Sequence, residues 1–344
     1  MSTPTSEEHD PIIPVDPAVA RALEGLPADF DDFGRVFETE IRPALLEREG
    51  ERAIAAERAR RWTVGGGALA AVAAVFGFLV FSLPALAVVG IIAGVAVIAI
   101  GRAPLQQISS KAKSLIVDPI ASQLNVSFEP KPAYPNTIDH ARELGLVSRW
   151  DRSNFEDRIL GGRNGVDYEF FEAHLEERRT TTDSNGRTRT TWVTVFKGQC
   201  LRLDFHKDFY GRTLVTRDAG FFNRFGGRKG MDRAKLEDPK FEKAFEVYTT
   251  DQVEARYILT PDFMQKLVDL EQTFRGKKLR CAFAGGEMLI CVEGANLFEP
   301  GSMFTPLDNP ERIRELLDDF SVLFHLIDTA SSARARGDEA RKND

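Results

Sequence analysis

From Thr63 to Gly101 the chain carries no Asp, Glu, Lys or Arg, and Arg61 and Arg102 flank the run. As one α-helix, rising about 1.5 Å per residue, this stretch would measure roughly 58 Å. A bilayer core is about 30 Å thick and takes about 20 apolar residues per crossing. One rod overshoots, whereas two short arms joined near Ser82-Leu83-Pro84 fit. Pro84 suits a helix start, because the first turn leaves N–H groups unpaired and proline has none to lose. The run therefore predicts a transmembrane helical hairpin within residues 62–102, with arms over about 64–81 and 84–100. A re-entrant wedge that never crosses is the competing reading, since each arm is at the short end of the spanning range.

The flanks orient such a hairpin. Arg58, Arg60 and Arg61 precede the run and Arg102, Lys111 and Lys113 follow it. Both ends of a two-pass hairpin lie on one side, and the positive-inside rule makes that side the cytoplasm. The expected location is the bacterial inner membrane, with both termini cytoplasmic. Three cysteines without tight spacing, Cys200, Cys281 and Cys291, form neither a disulfide framework nor a zinc ligand set and suit a reducing compartment. The formal net charge of −7 argues against a nucleic-acid partner.

Ahead of the membrane, residues 1–36 are acidic and proline-rich and read as disordered. Residues 37–61 read as a juxtamembrane helix, solvated or loosely packed because charges occur at every turn. Within the run, Gly90 and Gly94 form a small-xxx-small pair, with Ala70, Ala74 and Gly77 available on the first arm. Such residues let helix backbones approach, within the hairpin or, as the alternative, between copies of the chain.

Residues 103–330 are ample for one core, and 331–344 read as a solvated tail of mixed charge. An amphipathic helix is expected over Pro104–Gln123, then a long strand from Val166 to near Thr182, a turn at Asp183–Gly186 and a return strand through Trp192 toward Phe205. Val253–Leu259 looks strand-like, and Thr260-Pro261-Asp262 opens a helix. Gly285-Gly286 turns a hairpin that sets Ala284 opposite Glu287, Cys281 opposite Ile290 and Arg280 opposite Cys291. Alternation then puts Cys281 and Cys291 on opposite faces. A final helix from Asn309-Pro310 carries apolar residues at helical spacing through Ile327. The fold class is α+β: a transmembrane α-hairpin followed by an antiparallel sheet covered by helices.

These segments also carry a resemblance. FEVYTTDQVEARYILTPDFMQKL at Phe245–Leu267, CAFAGGEMLICVEGANLFEP at Cys281–Pro300 and PERIRELLDDFSVLFHLID at Pro310–Asp328 resemble a bacterial membrane-protein family of unknown function. That family pairs an N-terminal two-helix membrane segment with a cytoplasmic α+β domain. The resemblance implies no activity; members often encoded near LemA-like membrane proteins imply such a protein as a partner.

Candidate chemistry is sparse. Asp204, His206 and Asp208 alternate onto one strand face, which is either half a metal site or the wet face of a strand, and no second ligand group accompanies them. His325 sits in the apolar run of the last helix and is expected to be partly buried. The glycine-rich stretches Gly161–Gly165 and Gly226–Gly230 fit no phosphate-loop or dinucleotide pattern. The second lies in a basic loop with Arg224, Arg228, Lys229 and Arg233. The hairpin tip RRTTTDSNGRTRTT gathers Arg178, Arg179, Arg187 and Arg189, which either meet anionic lipid or a partner, or keep an exposed two-stranded end soluble. No catalytic residue, metal or cofactor is assigned. The expected function is a membrane-anchored interaction or scaffold protein, with an anionic-lipid sensor as the alternative and a membrane-associated enzyme behind it. Transport is least favoured, because the run holds no ionisable group.

Overall fold

The computed structural model describes residues 15–77, 84–184, 186–204, 210–217, 230–273 and 278–342. The chain divides into two units, one of Met1–Ile120 with Phe298–Asp319, the other of Ala121–Leu297 with Phe320–Asp344.

The first unit opens with α1 (Pro17–Leu23), whose N-cap Asp16 accepts the Ala18 N–H at 2.8 Å. A 3-10 turn at Ala28–Phe30, α2 (Phe33–Val36) and a π turn at Phe37–Ile41 lead into α3 (Arg42–Val75) and then α4 (Pro84–Gln123). The expectation of disorder through residue 36 is corrected from Val15 onward. Phe30, Phe33 and Phe37 are buried, which gives this acidic segment apolar surface to bury. Arg314 also donates to the carbonyls of Ala22 at 2.9 Å and Glu24 at 2.7 Å, holding the end of α1.

The juxtamembrane helix is solvated over most of its surface and buries one narrow face. It is continuous with the first arm of the hairpin, and it buries Leu45, Ala55 and Ala59 on one face. Arg52 is buried on the same face and is satisfied by Glu49 at 2.7 Å and the Met303 carbonyl at 2.9 Å. α4 starts at Pro84 and runs without a break through Pro104 and Pro119, so the second arm and the amphipathic helix after it are one element. Within it Ala87–Gln123 is long and apolar enough, by length and composition, to cross a membrane.

The second unit is built on β1 (Ser127–Glu129), α5 (Thr137–Glu143), β2 (Arg152–Arg163), β3 (Val166–Thr182), β4 (Thr188–Asp204), β5 (Thr213–Arg217), β6 (Asp232–Ala234), α6 (Pro239–Ala244), β7 (Phe245–Thr249), α7 (Gln252–Ile258), α8 (Pro261–Thr273), β8 (Leu279–Ala284), β9 (Glu287–Glu293) and α9 (Pro310–Lys342). The strands form one antiparallel sheet in the order β1-β2-β3-β4-β9-β8-β5-β7-β6. The fold is α+β. α9 belongs to the first unit up to Asp319 and to the second from Phe320. It also continues through the segment expected to be a loose tail, whose Ala, Arg, Glu and Lys residues are good helix formers.

Helices cover both faces of the sheet. Ile138, Ala141, Leu144, Leu146 and Val147, from α5 and the turn after it, pack on Phe171, Leu175, Cys200, Leu289 and Cys291. On the opposite face Phe263 of α8 meets Phe283 of β8 edge-on at 6.1 Å, and Arg163 of β2 stacks over Phe324 of α9 at 4.4 Å. Gly285 and Gly286 take φ of +59° and +82°, the left-handed pair that closes a two-residue hairpin. The register is the one the sequence predicts, with Ala284↔Glu287, Cys281↔Ile290 and Arg280↔Cys291. Val253–Leu259 is a correction: it forms α7 rather than a strand, because the Asp251 carboxylate accepts the N–H groups of Val253 at 2.8 Å and Glu254 at 3.0 Å.

Candidate functional site

Three surfaces hold residues that do more than fill a core. The first is the pair of arms formed by α3 and α4. A Cβ on Gly94 would lie 2.5 Å from the Gly66 carbonyl oxygen and 2.8 Å from the Ala70 Cβ. A Cβ on Gly90 would collide with Ala73, and one on Gly77 would stand 2.6 Å from the Ala87 nitrogen. Steps of three or four residues down α3 match equal steps up α4, so the arms pack antiparallel along a seam of small residues. The seam turns the large side chains outward. Val64, Val72, Val75, Val89, Ile92 and Val95 are each at least half exposed, an apolar band of the kind that marks a protein or membrane contact.

The second surface is the arm in which β3 and β4 project beyond their neighbours. β2 reaches Glu176 and β9 reaches Gly198, so the pairs from Glu177↔Val193 to Thr182↔Thr188 have no third strand beside them. The structure places Arg178 and Trp192 opposite each other on one face, and Arg179 and Arg189 on the other. The arginines of the tip are thus shared between two faces rather than gathered on one. Arg179 is ion-paired with Glu177 at 2.9 Å, and Arg187 lies in the turn, where its N–H donates to Asp183. The basic face is completed by a residue the sequence did not single out: Arg152 stacks on the Trp192 ring at 4.3 Å while holding Glu176 at 2.6 Å.

The third surface is polar and lies on the sheet face that α8 and α9 cover elsewhere. Asn154, His174 and Lys197 stand opposite one another on β2, β3 and β4; two residues along, Glu156, Glu172 and Gln199 do the same. A segment leaving β9 crosses these strands. Gly294 donates to the Lys197 carbonyl at 3.0 Å, Gln199 donates to the Ala295 carbonyl, Asn296 donates to Glu156 at 3.0 Å, and the Leu297 N–H donates to Glu172. Asn154 donates to the other oxygen of Glu156 at 2.9 Å. His174 Nε2 is hydrogen-bonded to Thr194 at 3.0 Å. Strand pairings more than a dozen residues apart assemble this cluster, which is why spacing along the chain gave no sign of it.

The opposite face carries a charged network of a different kind. Buried Glu169 takes Arg158 at 2.7 Å and Thr137 at 2.5 Å, and Arg202 bridges it at 3.5 Å to Glu287 at 2.8 Å, where His140 also stands at 3.4 Å. Each charge there meets its opposite, which suits a structural role at the start of α5.

Of the remaining residues singled out in the sequence, Asp204 ends β4 opposite Asp167 and Glu287, while His206 and Asp208 lie outside the described residues. Arg224, Arg228 and Lys229 also lie outside them. Arg233 is on β6, ion-paired with Glu246 at 3.6 Å. His325 is exposed rather than partly buried, since the apolar face of α9 turns away from it. Cys200 and Cys291 are directly opposed on β4 and β9 with sulfurs 3.7 Å apart, and burial pushes the thiols of Cys200 and Cys281 well up, so they stay protonated and unreactive. Among the described residues no three His, Cys, Asp or Glu side chains stand close enough to share a metal ion.

A search of curated proteins gives no match. Among solved structures, the crystal structure of the mycobacterial trehalose monomycolate transport factor A, TtfA, aligns over 62% of this chain and 94% of its own, at 10% identity and a TM-score of 0.31. That likeness is too distant to carry an argument. Residues 194–331 match the model of a family described as a protein of unknown function (DUF3137), the span that contains all three segments on which the family resemblance was read.

Proposed function

We propose that this chain is a membrane-anchored interaction protein: the α3–α4 hairpin sits in the bacterial inner membrane with both termini on the cytoplasmic side, and the sheet unit presents its two-stranded arm to a partner. The observation that carries the reading is the outward band of valines and isoleucines around an inward seam of glycine and alanine. In water such a band costs about 25 cal/mol for each Å² left exposed, whereas lipid removes that cost. The arm supports the second half. Its pairs from Glu177↔Val193 outward have free edges, and its base carries an exposed Trp between arginines, the residue types enriched where proteins meet. The partner that the family resemblance implies is a LemA-like membrane protein.

The test is affinity capture in mild detergent of the full chain and of a chain lacking residues 62–102, with membrane fractionation of both. The full chain is expected in the membrane fraction and the shortened one in the soluble fraction, each retaining the same partner. A shortened chain that stays in the membrane fraction, or a partner captured undiminished by the full chain carrying Trp192→Ala, overturns the reading.

A second reading, an anionic-lipid sensor, rests on Arg152, Trp192 and Arg178 sharing one face of the arm. It requires that vesicles with anionic lipid bind the protein more tightly than neutral ones, and that Arg178→Ser with Arg152→Ser abolishes the difference.

A further inference from the structure

The arm formed by β3 and β4 has two edges, and they differ in kind. On the β3 side, the stretch that outruns β2 begins Glu177-Arg178-Arg179, and Asp151 closes over its base. The Asp151 N–H donates to the Glu176 carbonyl at 2.9 Å, and its carboxylate accepts the Arg178 N–H at 2.7 Å. Charges of this sort are how native proteins guard a sheet edge. On the β4 side, the last backbone bond from the neighbouring segment is the one from Gly294 to the Lys197 carbonyl, at 3.0 Å. From Thr188 to Thr194, β4 pairs with β3 in unbroken register and, among the described residues, meets no backbone partner on its other side.

Nothing guards this second edge. Thr190-Thr191-Trp192-Val193-Thr194-Val195-Phe196 holds no charge, no proline and only residue types that favour strands. The unbroken stretch Thr188–Thr194 spans about 23 Å, a full strand's length of N–H and C=O groups open to one more strand. The charges that bracket it have one sign: Arg187 and Arg189 toward the tip and Lys197 at the base, all exposed. A second copy pairing antiparallel through the same edge would bring the tip arginines of each toward Lys197 of the other, and like charges opposed on a sheet destabilise it. A strand with acidic residues at its ends meets opposite charge at both.

We propose that the β4 edge from Thr188 to Thr194 takes up an extended segment of a partner protein, acidic at its ends, as an added strand. Main-chain hydrogen bonds hold such a segment, and the side chains on either face of the edge select it. Thr190, Trp192 and Thr194 flank it on one face, Arg189, Thr191 and Val193 on the other. Apolar or β-branched side chains in the middle of the segment fit beside Trp192 and Val193. Strand addition here rests on the interaction reading above, to which it adds the edge used, the kind of bond and the charge of the partner.

The test is fluorescence anisotropy of labelled peptides titrated with the full chain in detergent. The probe has two glutamates at each end of a Val-Thr-Val-Thr-Val centre, and its counterpart has lysines in their place. The glutamate peptide is expected to bind at least about tenfold tighter, a preference that Arg187→Ser with Arg189→Ser largely removes. A single N-methyl group moved along the centre reads out the strand itself. Successive N–H groups of a strand point to opposite sides, so alternate positions should weaken binding at least about tenfold and the intervening ones should leave it. Equal binding of the two peptides overturns the proposal, as does a scan without that alternation, which charge attraction alone would give. A dimer of the full chain in detergent that comes apart on Val193→Lys also overturns it, by giving the edge to a second copy. Absent peptide binding beside a partner still lost on Trp192→Ala overturns strand addition and leaves the interaction reading standing. Alternating peptide binding beside capture that Trp192→Ala leaves whole does the reverse.

Discussion

Ile92 of α4 is 63% exposed, whereas Ile290 of β9 is 1% exposed. The same side chain faces out in one region and in on the other, and the neighbours follow suit. In the hairpin, glycine and alanine occupy the contact and valine, isoleucine and phenylalanine the surface. In the sheet unit, aromatic and branched residues fill both faces, and charges stand at the rims or pair with one another. Burial of apolar area drives the second arrangement but has no force between helices whose surroundings are themselves apolar, where close backbone packing takes over. The contrast is the one expected if the hairpin sits in lipid as proposed, and the sheet unit in water.

The sharpest way to break that contrast is to remove apolar bulk from each region in turn. Phe171 is fully buried, edge-on to Phe155 at 6.0 Å. Phe171→Ala should cost about 3–5 kcal/mol in denaturant or thermal unfolding, the range for a large aromatic lost from a core. Ile92→Ala removes a comparable side chain from the outward band and should leave the same unfolding transition within about 0.5 kcal/mol. If Ile92→Ala were as costly as Phe171→Ala, the band would be a protein contact and not a lipid one.

The converse experiment adds bulk. Gly90→Leu places a side chain where even a Cβ meets Ala73. Overpacking of this kind costs about 1–3 kcal/mol, and spin labels at Val72 and Val88 should report a wider separation of α3 and α4 by electron-electron distance measurement. A one-methylene addition at the surface, Val89→Leu, should change neither distance nor stability.

How much of this was legible in the chain depended on whether neighbours in space were neighbours in sequence. The start of α4 at Pro84, the long strands β3 and β4, and the whole β8–β9 register followed from local rules, because a two-residue turn fixes every pair after it. α7 did not, since alternation over Val253–Leu259 outweighed the Asp251 cap one residue before it. The facing of Cys200 and Cys291 and the rows around Glu156 and Glu172 needed the pairing of β4 with β9 and of β2 with β3. Irregularities at Glu156/Ile159 and Leu175/Glu176 shift those registers, so alternation alone would misplace side chains across them.

A pH experiment extends the comparison to polar groups in the first unit. Burial pushes the Asp319 carboxyl up to about 6, with Asp318, Glu315 and Glu299 adding to the rise and the Phe298 N–H, at 2.7 Å, opposing it. A raised acid binds its proton more readily in the folded state. Stability should therefore fall as pH climbs from about 4 to 6, and the penalty should be complete above that window. Asp319→Asn keeps an acceptor for Phe298 and removes the charge. It should raise stability at pH 7.5 by roughly 1–3 kcal/mol, from a shift of about two pKa units at 1.36 kcal/mol each taken as an upper bound, and do little at pH 4. A gain of equal size at both pH values would show that the carboxylate's charge is not what strains the site.

The smallest expected change in stability separates a structural arm from a working one. Arg187 and Arg189 lie where β3 and β4 have no third strand, and both are exposed. Replacing both by serine should shift the unfolding midpoint by no more than about 0.5 kcal/mol, as for other surface positions away from caps and cores. If the arm serves only to end the sheet without aggregation, function and partner capture should be as indifferent as stability is. If the arm is the surface through which the anchored unit meets its partner, capture should fall at least about tenfold in the double variant while the melt stays where it was. A Thr180→Val, Thr190→Val pair makes the control: it removes the cross-strand hydroxyl pair at 3.4 Å but keeps every charge. Loss of capture in the arginine variant alone would locate recognition in the charges of the tip, and loss in both would locate it in the shape of the ribbon.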